Sequence, residues 1–418
     1  MKMKRTAAAL MAAALLVSGC NNGGAQQTEA PAETTAAEPE KQVGEMRDIT
    51  TQQVVEEMGL GINLGNTFES SGISGTMVSS FEKGWGSPTI SQPLIQGYAD
   101  AGFGVLRVPV AWSNMMAEDY TISAEYIARV GEVVDWALDS GMYVILNEHW
   151  DGGWWEKFPT EKEECMKKYT RIWEQISEYF RDHGDKLMFE SLNEEGGWDS
   201  IWNRYSGTEG EAKEESYGLL NEINQKFVDI VRASGGNNEK RHLLIAGYNT
   251  DVELTCDKLF VMPNDPAGRC AVSVHYYTPS TFCILERDAS WGKARKTWGH
   301  PKEVEEMERL MDMLKERFVD NGVPVIVGEY GCVALRNKEP VEIRRFNLIA
   351  AEEMLKRKMC PVLWDTTGTF YDRYFFTMKD EEFRKGLERL KAGESLKEEL
   401  LADTKKESAS ASGTDDAA

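Results

Sequence analysis

Short, continuous apolar runs alternate along the chain with longer stretches in which apolar residues return every three or four positions. The runs are Leu60–Leu64, Gly104–Val110, Met142–Leu146, Leu187–Phe189, Leu243–Ala246, Ala271–Val274, Val325–Val327 and Val362–Leu363. Being apolar on successive residues rather than alternate ones, they read as strands buried on both faces, as in a parallel sheet. Between them Ile127, Val130, Val133, Val134, Ala137 and Leu138 form a helical stripe. Met166, Tyr169, Trp173, Ile176 and Phe180 form a second, and Val304, Met307, Leu310, Met311, Leu314 and Phe318 a third. Such stripes are core-facing helix surfaces and require no cofactor. Glycine closes helices just before strands at Ser140-Gly141-Met142 and Asn321-Gly322-Val323, where a left-handed residue is wanted. Eight strand-then-helix units predict an α/β fold, a single (β/α)8 TIM-barrel catalytic domain spanning 47–401.

Outside that span the pattern stops. Between Asn21 and Gln42 there is no aromatic residue and no Val, Ile or Leu, too little to bury for folding. We expect a disordered tether over 20–46 and a disordered tail over 402–418. Residues 1–19 read as an export signal: Lys2, Lys4 and Arg5 precede the apolar run Ala7–Val17, which is too short to span a bilayer. The run ends in Val17-Ser18-Gly19-Cys20. This resembles the lipobox of bacterial lipoproteins, in which the cysteine is lipidated and becomes the first residue. The resemblance implies lipidation of Cys20 and an exported protein anchored at the bacterial cell surface, touching membrane only through that lipid.

Composition narrows the partners. The chain has 418 residues and a formal net charge of −22, which argues against nucleic acid or an acidic membrane surface and suits a neutral ligand. There is no G-x-S-x-G elbow and no phosphate-binding loop. Gly59-Leu60-Gly61-Ile62-Asn63-Leu64-Gly65 only approximates a dinucleotide fingerprint. The five His share no metal-ligand spacing, so no metal and no cofactor is expected. Besides Cys20, Cys165, Cys256, Cys270, Cys283, Cys332 and Cys360 form no C-x-x-C pair; spacing leaves their bonding open, with buried thiols expected at Cys332 and Cys360.

In a barrel, chemistry sits just past the C-terminal ends of the strands. Polar residues gather at that position on strand after strand: Arg107; Asn147-Glu148-His149-Trp150-Asp151; Glu190 and Asn193-Glu194-Glu195; His275-Tyr276-Tyr277; Glu329; and Trp364-Asp365. Singly, each has a structural explanation; six converging ends suggest one site. Glu194 and Glu329 stand on strands four and seven, across the mouth from each other. At about 5–5.5 Å, two carboxyls can act as acid/base and nucleophile on a glycosidic bond. Their acidities must differ: Arg107 beside one would hold it ionised, and a drier surrounding would keep the other protonated.

At these residues the chain resembles glycoside hydrolase family 5, the cellulase family. The matching segments are Gly61–Thr67, Trp85-Gly86-Ser87-Pro88, Arg107-Val108-Pro109-Val110, Asn147-x-His149, Phe189–Glu194, His275-Tyr276-Tyr277, Gly328-Glu329-Tyr330-Gly331 and Trp364-Asp365. The stretch Val231–Asn238 is similar to the endoglucanase and xyloglucanase branch, subfamily 4. The resemblance implies a retaining endo-β-1,4-glucanase acting on cellulose-like, xyloglucan or mixed-linkage chains, a monomer with a polysaccharide as its partner. It implies Glu194 as acid/base and Glu329 as nucleophile. Asn193 would bind the sugar 2-hydroxyl, Tyr277 would donate to the nucleophile, and Arg107 would lie beside it. His149 and His275 would shape the pocket over a Trp364 floor. Two positions depart from the family pattern: Glu195 stands where proline is usual, which leaves two adjacent Glu as candidates, and Trp150 stands for a second His. A β-mannanase on the same barrel and a glycan-binding lipoprotein that does not cut remain alternatives. Trp154, Trp155, Trp198, Trp202, Trp291 and Trp298 fall in expected mouth loops, and about half of them are expected to line a cleft.

Overall fold

A computed structural model describes residues 44–207 and 210–402. The expected signal, Cys20, the tether up to residue 43 and the tail beyond residue 402 lie outside the described residues. Eight parallel strands close into a barrel in the order β1 to β8, with β8 pairing back onto β1. The strands are β1 (Gly61–Asn63), β2 (Val105–Val108), β3 (Tyr143–Asn147), β4 (Leu187–Glu190), β5 (Leu243–Asp251), β6 (Cys270–Tyr276), β7 (Val325–Tyr330) and β8 (Cys360–Leu363). Each overlaps one of the apolar runs. Several extend beyond those runs at the C-terminal end, because polar residues there (Asn147, Glu190, His275, Glu329) keep extended pairing while facing the barrel mouth.

Helix α1 (Thr51–Met58) precedes β1; α2 (Gln92–Asp100), α3 (Ala124–Asp139), α4 (Lys162–Tyr179) and α5 (Glu211–Ala233) follow strands one to four. After β5 comes only the single turn Val252–Thr255. Helices α6 (Pro301–Arg317) and α7 (Pro340–Lys356) follow β6 and β7. A hairpin, β9 (Tyr371–Asp372) and β10 (Thr377–Met378), separates β8 from α8 (Glu381–Lys391). The three helical stripes fall on α3, α4 and α6, and their apolar members are buried except Leu138 and Met166, which are half-buried. Gly141 and Gly322 have φ of 90° and 79°, a backbone that a side chain would resist. Among the described residues no helix is long and apolar enough to cross a membrane.

Two apolar layers result. The outer one lies between sheet and helices, where Trp173 of α4 meets Phe227 of α5 edge-on at 4.5 Å. The inner one fills the barrel itself with Val105, Ile145, Met188, Leu244, Ile326 and Val362. Helix α1, which the runs and stripes above do not include, stops the N-terminal end of the barrel by inserting Val54, Val55 and Met58 into that inner layer. Thr50 starts it with a capping box closed by Gln53, satisfying amide groups that would otherwise be unpaired. The packed body begins by Gly44, whose amide donates to the Asp182 carbonyl at 3.1 Å.

All six cysteines among the described residues are free thiols, with Cys332 and Cys360 buried as expected. Because α1 plugs the barrel through few side chains, Met58→Ala should lower stability by about 2–5 kcal/mol. Urea denaturation checks this. A loss under about 1 kcal/mol would mean that the barrel floor is held by other contacts.

Candidate active site

The mouth is organised around one fully buried guanidinium. Arg107, on β2, donates from Nε to Glu190 Oε2 at 2.7 Å and from Nη1 to Glu329 Oε1 at 2.8 Å. It also donates from Nη1 to Asn63 Oδ1 at 3.0 Å and from Nη2 to Asn193 Oδ1 at 2.9 Å. One side chain thus ties β1, β4, β7 and the turn after β4 together, a task suited to the planar, multiply donating guanidinium. Burial works to discharge it, but the charges of Glu190 and Glu329 outweigh burial and raise its pKa further. Glu190 keeps its second oxygen satisfied by the Ser273 hydroxyl at 2.7 Å. Asn63 donates onward to the Gly328 carbonyl at 2.9 Å. Glu190, Asn63 and Ser273 were given no role by sequence reasoning. The available signal was Arg107 itself: a cation inside a strand needs buried anions and acceptors around it.

Glu329 is the penultimate residue of β7, next to β6 in a register that shifts after Val274 and sets His275 opposite it. Both Glu329 oxygens accept hydrogen bonds, Oε1 from Arg107 and Oε2 from the Tyr277 hydroxyl at 3.0 Å. Burial and the nearby carboxylates hold the Tyr277 phenol far above its usual pKa, so it remains a proton-bearing donor.

Glu194 faces Glu329 across the mouth. Its Oε1 lies 2.8 Å from His275 Nδ1, and the same nitrogen is 3.6 Å from Glu329 Oε2. One oxygen of each carboxyl and a ring nitrogen of His275 all lie within 4.8 Å of one another. The Glu194 side chain is 47% exposed and that of Glu329 7%. The expectation that the Arg107-free carboxyl sits in the drier surrounding is therefore wrong. Glu194 occupies the open side because it stands on a turn beyond β4, while Glu329 is still within its strand. Burial raises the Glu194 carboxyl, but the hydrogen bond and charge of His275, with Arg107, outweigh it and hold it below the usual range. Burial raises Glu329, with the Glu194 charge adding to it, against His275, Arg107 and Tyr277. Two carboxyls this close titrate as a pair.

The turn after β4 decides between the two adjacent glutamates. Glu195 points inward, is buried, and accepts the Asn193 amide through Oε2 at 2.5 Å. Asn249 fixes the turn from β5: its amide donates to the Glu195 carbonyl at 2.7 Å and its Nδ2 to the Glu194 carbonyl at 2.7 Å. Gly197, at φ 62°, makes room, since a Cβ there would lie 3.0 Å from Asn249 Oδ1. Only Glu194 of the pair reaches the mouth.

His149, on the segment after β3, lies parallel to Trp364 with ring centroids 5.8 Å apart, and Asn147 touches its Nδ1 at 3.2 Å. Burial, with the Arg107 and His275 charges, keeps His149 well below its usual pKa and hence neutral. Trp364 is half-buried at the end of β8, its indole partly open to the mouth. The expected site residues Arg107, His149, Asn193, Glu194, His275, Tyr277, Glu329 and Trp364 are therefore all at one strand-end mouth. The mouth-loop tryptophans divide differently from expectation. Trp155, Trp198, Trp202 and Trp298 are buried in the outer apolar layer, because their loops fold back onto the helices. Trp154 is half-buried and Trp291 exposed.

Among the described residues, Glu194, His275 and Glu329 form the group whose donor atoms are close enough to share a cation. Their donors are already engaged with one another, with Arg107 and with Tyr277, so a cation would have to displace these bonds. The arrangement can place an acid and a base on opposite sides of one bond in a ligand lying over Trp364.

Residues 64–369 match the family model for cellulase, glycosyl hydrolase family 5. Over 353 residues the chain is 35% identical to a xyloglucan-specific endo-β-1,4-glucanase of Bacteroides ovatus, covering 78% of this chain and 68% of that one. It is 33% identical over 351 residues to endoglucanase A of Paenibacillus barcinonensis, covering 77% and 84%. Its fold matches a subfamily 4 broad-specificity endoglucanase from an uncultured bovine rumen ciliate with a TM-score of 0.75 and 32% identity, covering 83% of this chain and 99% of that one.

Replacing Arg107 by Met should destabilise the protein by about 3–5 kcal/mol at pH 7, because two buried carboxylates lose their cation. Without the guanidinium the Glu329 carboxyl rises further. A folded-state value above the unfolded one adds a penalty that is full at pH above the folded value and vanishes as pH falls below the unfolded one. Urea titrations should therefore show the gap to wild type narrowing between pH 7 and pH 4. A gap that stays constant or widens would contradict the buried pairing.

Proposed function

This chain belongs to glycosyl hydrolase family 5, and from that membership we propose how its mouth cleaves a β-1,4-glucan by double displacement. It is a glycoside hydrolase, an endo-β-1,4-glycanase acting on glucans. The observation that carries the mechanism is the close approach, within 4.8 Å, of oxygens from Glu194 and Glu329, the short separation of a retaining pair rather than the wider gap that leaves room for an intervening water.

Glu329 attacks the anomeric carbon as its bond to the leaving oxygen breaks, and Glu194 gives its proton to that oxygen. The glycosyl ester on Glu329 is then hydrolysed: Glu194 takes a proton from water, the resulting hydroxide attacks the anomeric carbon, and the Glu329 carboxylate leaves. The result is net retention. Glu194 needs a proton in the first step, although the open mouth favours its ionised form. A pyranose over Trp364 removes the solvent now covering the Glu194 side chain, and desolvation raises a carboxyl. The negative charge then rests on Glu329, against the fixed donors of Arg107 and Tyr277. Asn193, held by Arg107, is set to bind a sugar hydroxyl. His149 and Trp364 offer a flat apolar wall to the sugar C–H face.

Glu194→Gln should lower turnover by about 100- to 10,000-fold, and Glu329→Gln by at least as much, with both variants folded by circular dichroism. Wild-type turnover in either removes that residue from its role. Proton NMR of early products from soluble β-glucan should show the β-anomer first; an α-anomer burst contradicts retention. Initial rates on xyloglucan, carboxymethylcellulose, mixed-linkage glucan and glucomannan rank the substrates, glucomannan being the discriminator for a mannanase.

We also propose that the protein is exported and held at the bacterial surface by lipid on Cys20. The basic residues, the apolar run and the small residues before Cys20 support this. Cys20→Ser should move the expressed protein from the detergent-rich to the aqueous phase in detergent partitioning; unchanged partitioning would rule out the anchor.

A further inference from the structure

Three consecutive aromatic residues, Tyr374, Phe375 and Phe376, stand at the tip of the β9–β10 hairpin with 65%, 80% and 40% of their surface exposed. Single exposed apolar residues are ordinary on a protein surface. A run of three exposed aromatics is a liability unless it has a use.

The tip is held rather than loose. Asp372 Oδ1 accepts the amides of Tyr374 at 2.9 Å and Phe375 at 3.1 Å, and its carbonyl accepts that of Phe376 at 2.8 Å. Phe376 has a φ of 56°, an uncommon backbone for a bulky residue. Arg373, immediately before the rings in sequence, is buried. It donates to the Gly65 carbonyl at 2.9 Å, to Thr67 Oγ1 and Ser87 Oγ at 3.1 Å each, and to the Asp365 carbonyl at 3.1 Å. Holding the rings in place ahead of binding reduces the ordering cost that a mobile loop would incur.

That anchorage joins the tip to the site. Gly65 is the residue on which the Trp364 indole rests: a Cβ there would lie 3.0 Å from Trp364 Cζ2. The same guanidinium that carries the aromatic tip therefore grips the segment under the proposed sugar-stacking wall. Trp85, 40% exposed, lies two residues before Ser87, which Arg373 also holds. Through Arg373 the tip is thus tied to the segments that carry Trp85 and that lie against Trp364.

We infer that Tyr374 and Phe375 form an aromatic platform on which the part of a β-glucan chain lying outside the mouth rests. This builds on the proposed function, in which an internal bond of a polymer is cut and the chain must continue past the mouth. Sugar rings present apolar C–H faces that stack on aromatics, and a neutral polymer is compatible with a protein of net charge −22, whereas an anionic membrane surface is not. Phe376 serves as a packing residue, since a Cβ on Gly97 of α2 would lie 3.2 Å from its own Cβ.

The test is the double variant Tyr374→Ala/Phe375→Ala in the full chain, at two positions outside the catalytic machinery. On an aryl β-cellobioside, which reaches only the mouth, kcat/KM should match wild type. On soluble β-glucan KM should rise about fivefold or more with kcat unchanged. In a Glu329→Gln background, native gels containing β-glucan should retard the parent more than the double variant. The aromatic replacement Tyr374→Trp/Phe375→Tyr should restore both readouts, which a folding defect would not explain. Equal KM and equal retardation overturn the platform. So does a double variant that loses sedimentation with phosphatidylglycerol vesicles while keeping its β-glucan affinity, since the rings would then serve a membrane. Wild type releasing no reducing sugar from β-glucan would defeat the proposed function instead, leaving the gel retardation to judge the platform.

Discussion

The buried guanidinium of Arg107 is the constraint around which the mouth is assembled. A charge at zero exposure in a barrel core is tolerable only if anions and acceptors surround it closely. Glu190, Glu329, Asn63 and Asn193 meet that demand from three strands and a turn. The demand works in both directions. The acceptors stabilise the cation, and the cation fixes where they sit. Glu329 can therefore stand in a protein interior, with one oxygen on Arg107 and the other on Tyr277, without rotating away from the mouth. Electrostatic groups fixed before substrate arrives need little reorganisation during reaction.

The second carboxyl is governed differently. Glu194 lies on a turn whose backbone is fixed from β5, while its carboxyl meets His275 rather than Arg107. Asn249 grips the carbonyls of Glu194 and Glu195, and Glu195 turns inward to hold the amide of Asn193. The glutamate that replaces the usual proline thus has a structural use. Buried and with its Oε1 unpartnered, it is pushed well above the ordinary carboxyl pKa by burial, against the Asn193 amide. The result is an asymmetric pair, one carboxyl dry and clamped by Arg107 and the other half-exposed to solvent. That asymmetry allows the proton to be redistributed when a ligand changes the solvent around only one of them.

Trp364 links this chemistry to the outer surface. Its indole lies parallel to the His149 ring, with the Cζ2 edge close to Gly65, and Gly65 is gripped by Arg373 at the base of the aromatic tip. The absence of a side chain at Gly65 is what permits this approach, since a Cβ would also lie 2.7 Å from the Asp365 carbonyl.

Much of this was legible in the sequence by itself. Eight apolar runs with helical stripes between them determined a barrel, because a strand buried on both faces cannot tolerate alternation, and local patterning records that. The strand-end position marked Arg107, Glu194, His275, Tyr277, Glu329 and Trp364, because a barrel presents only those ends at its mouth. What the tertiary structure decided were relations between distant segments, which no local pattern encodes. Glu190 and Asn63 became partners of Arg107, and Ser273 a partner of Glu190, only when the strands that carry them closed around the guanidinium. Glu194 was separated from Glu195 only by the direction of a turn set from β5. Four mouth-loop tryptophans proved to be core because the surface a loop packs on is supplied by segments distant in sequence. The wet and dry members of the carboxyl pair were likewise exchanged relative to expectation. Solvent exposure belongs to the assembled surface, and a sequence fixes which groups can ionise but not how much water each will meet.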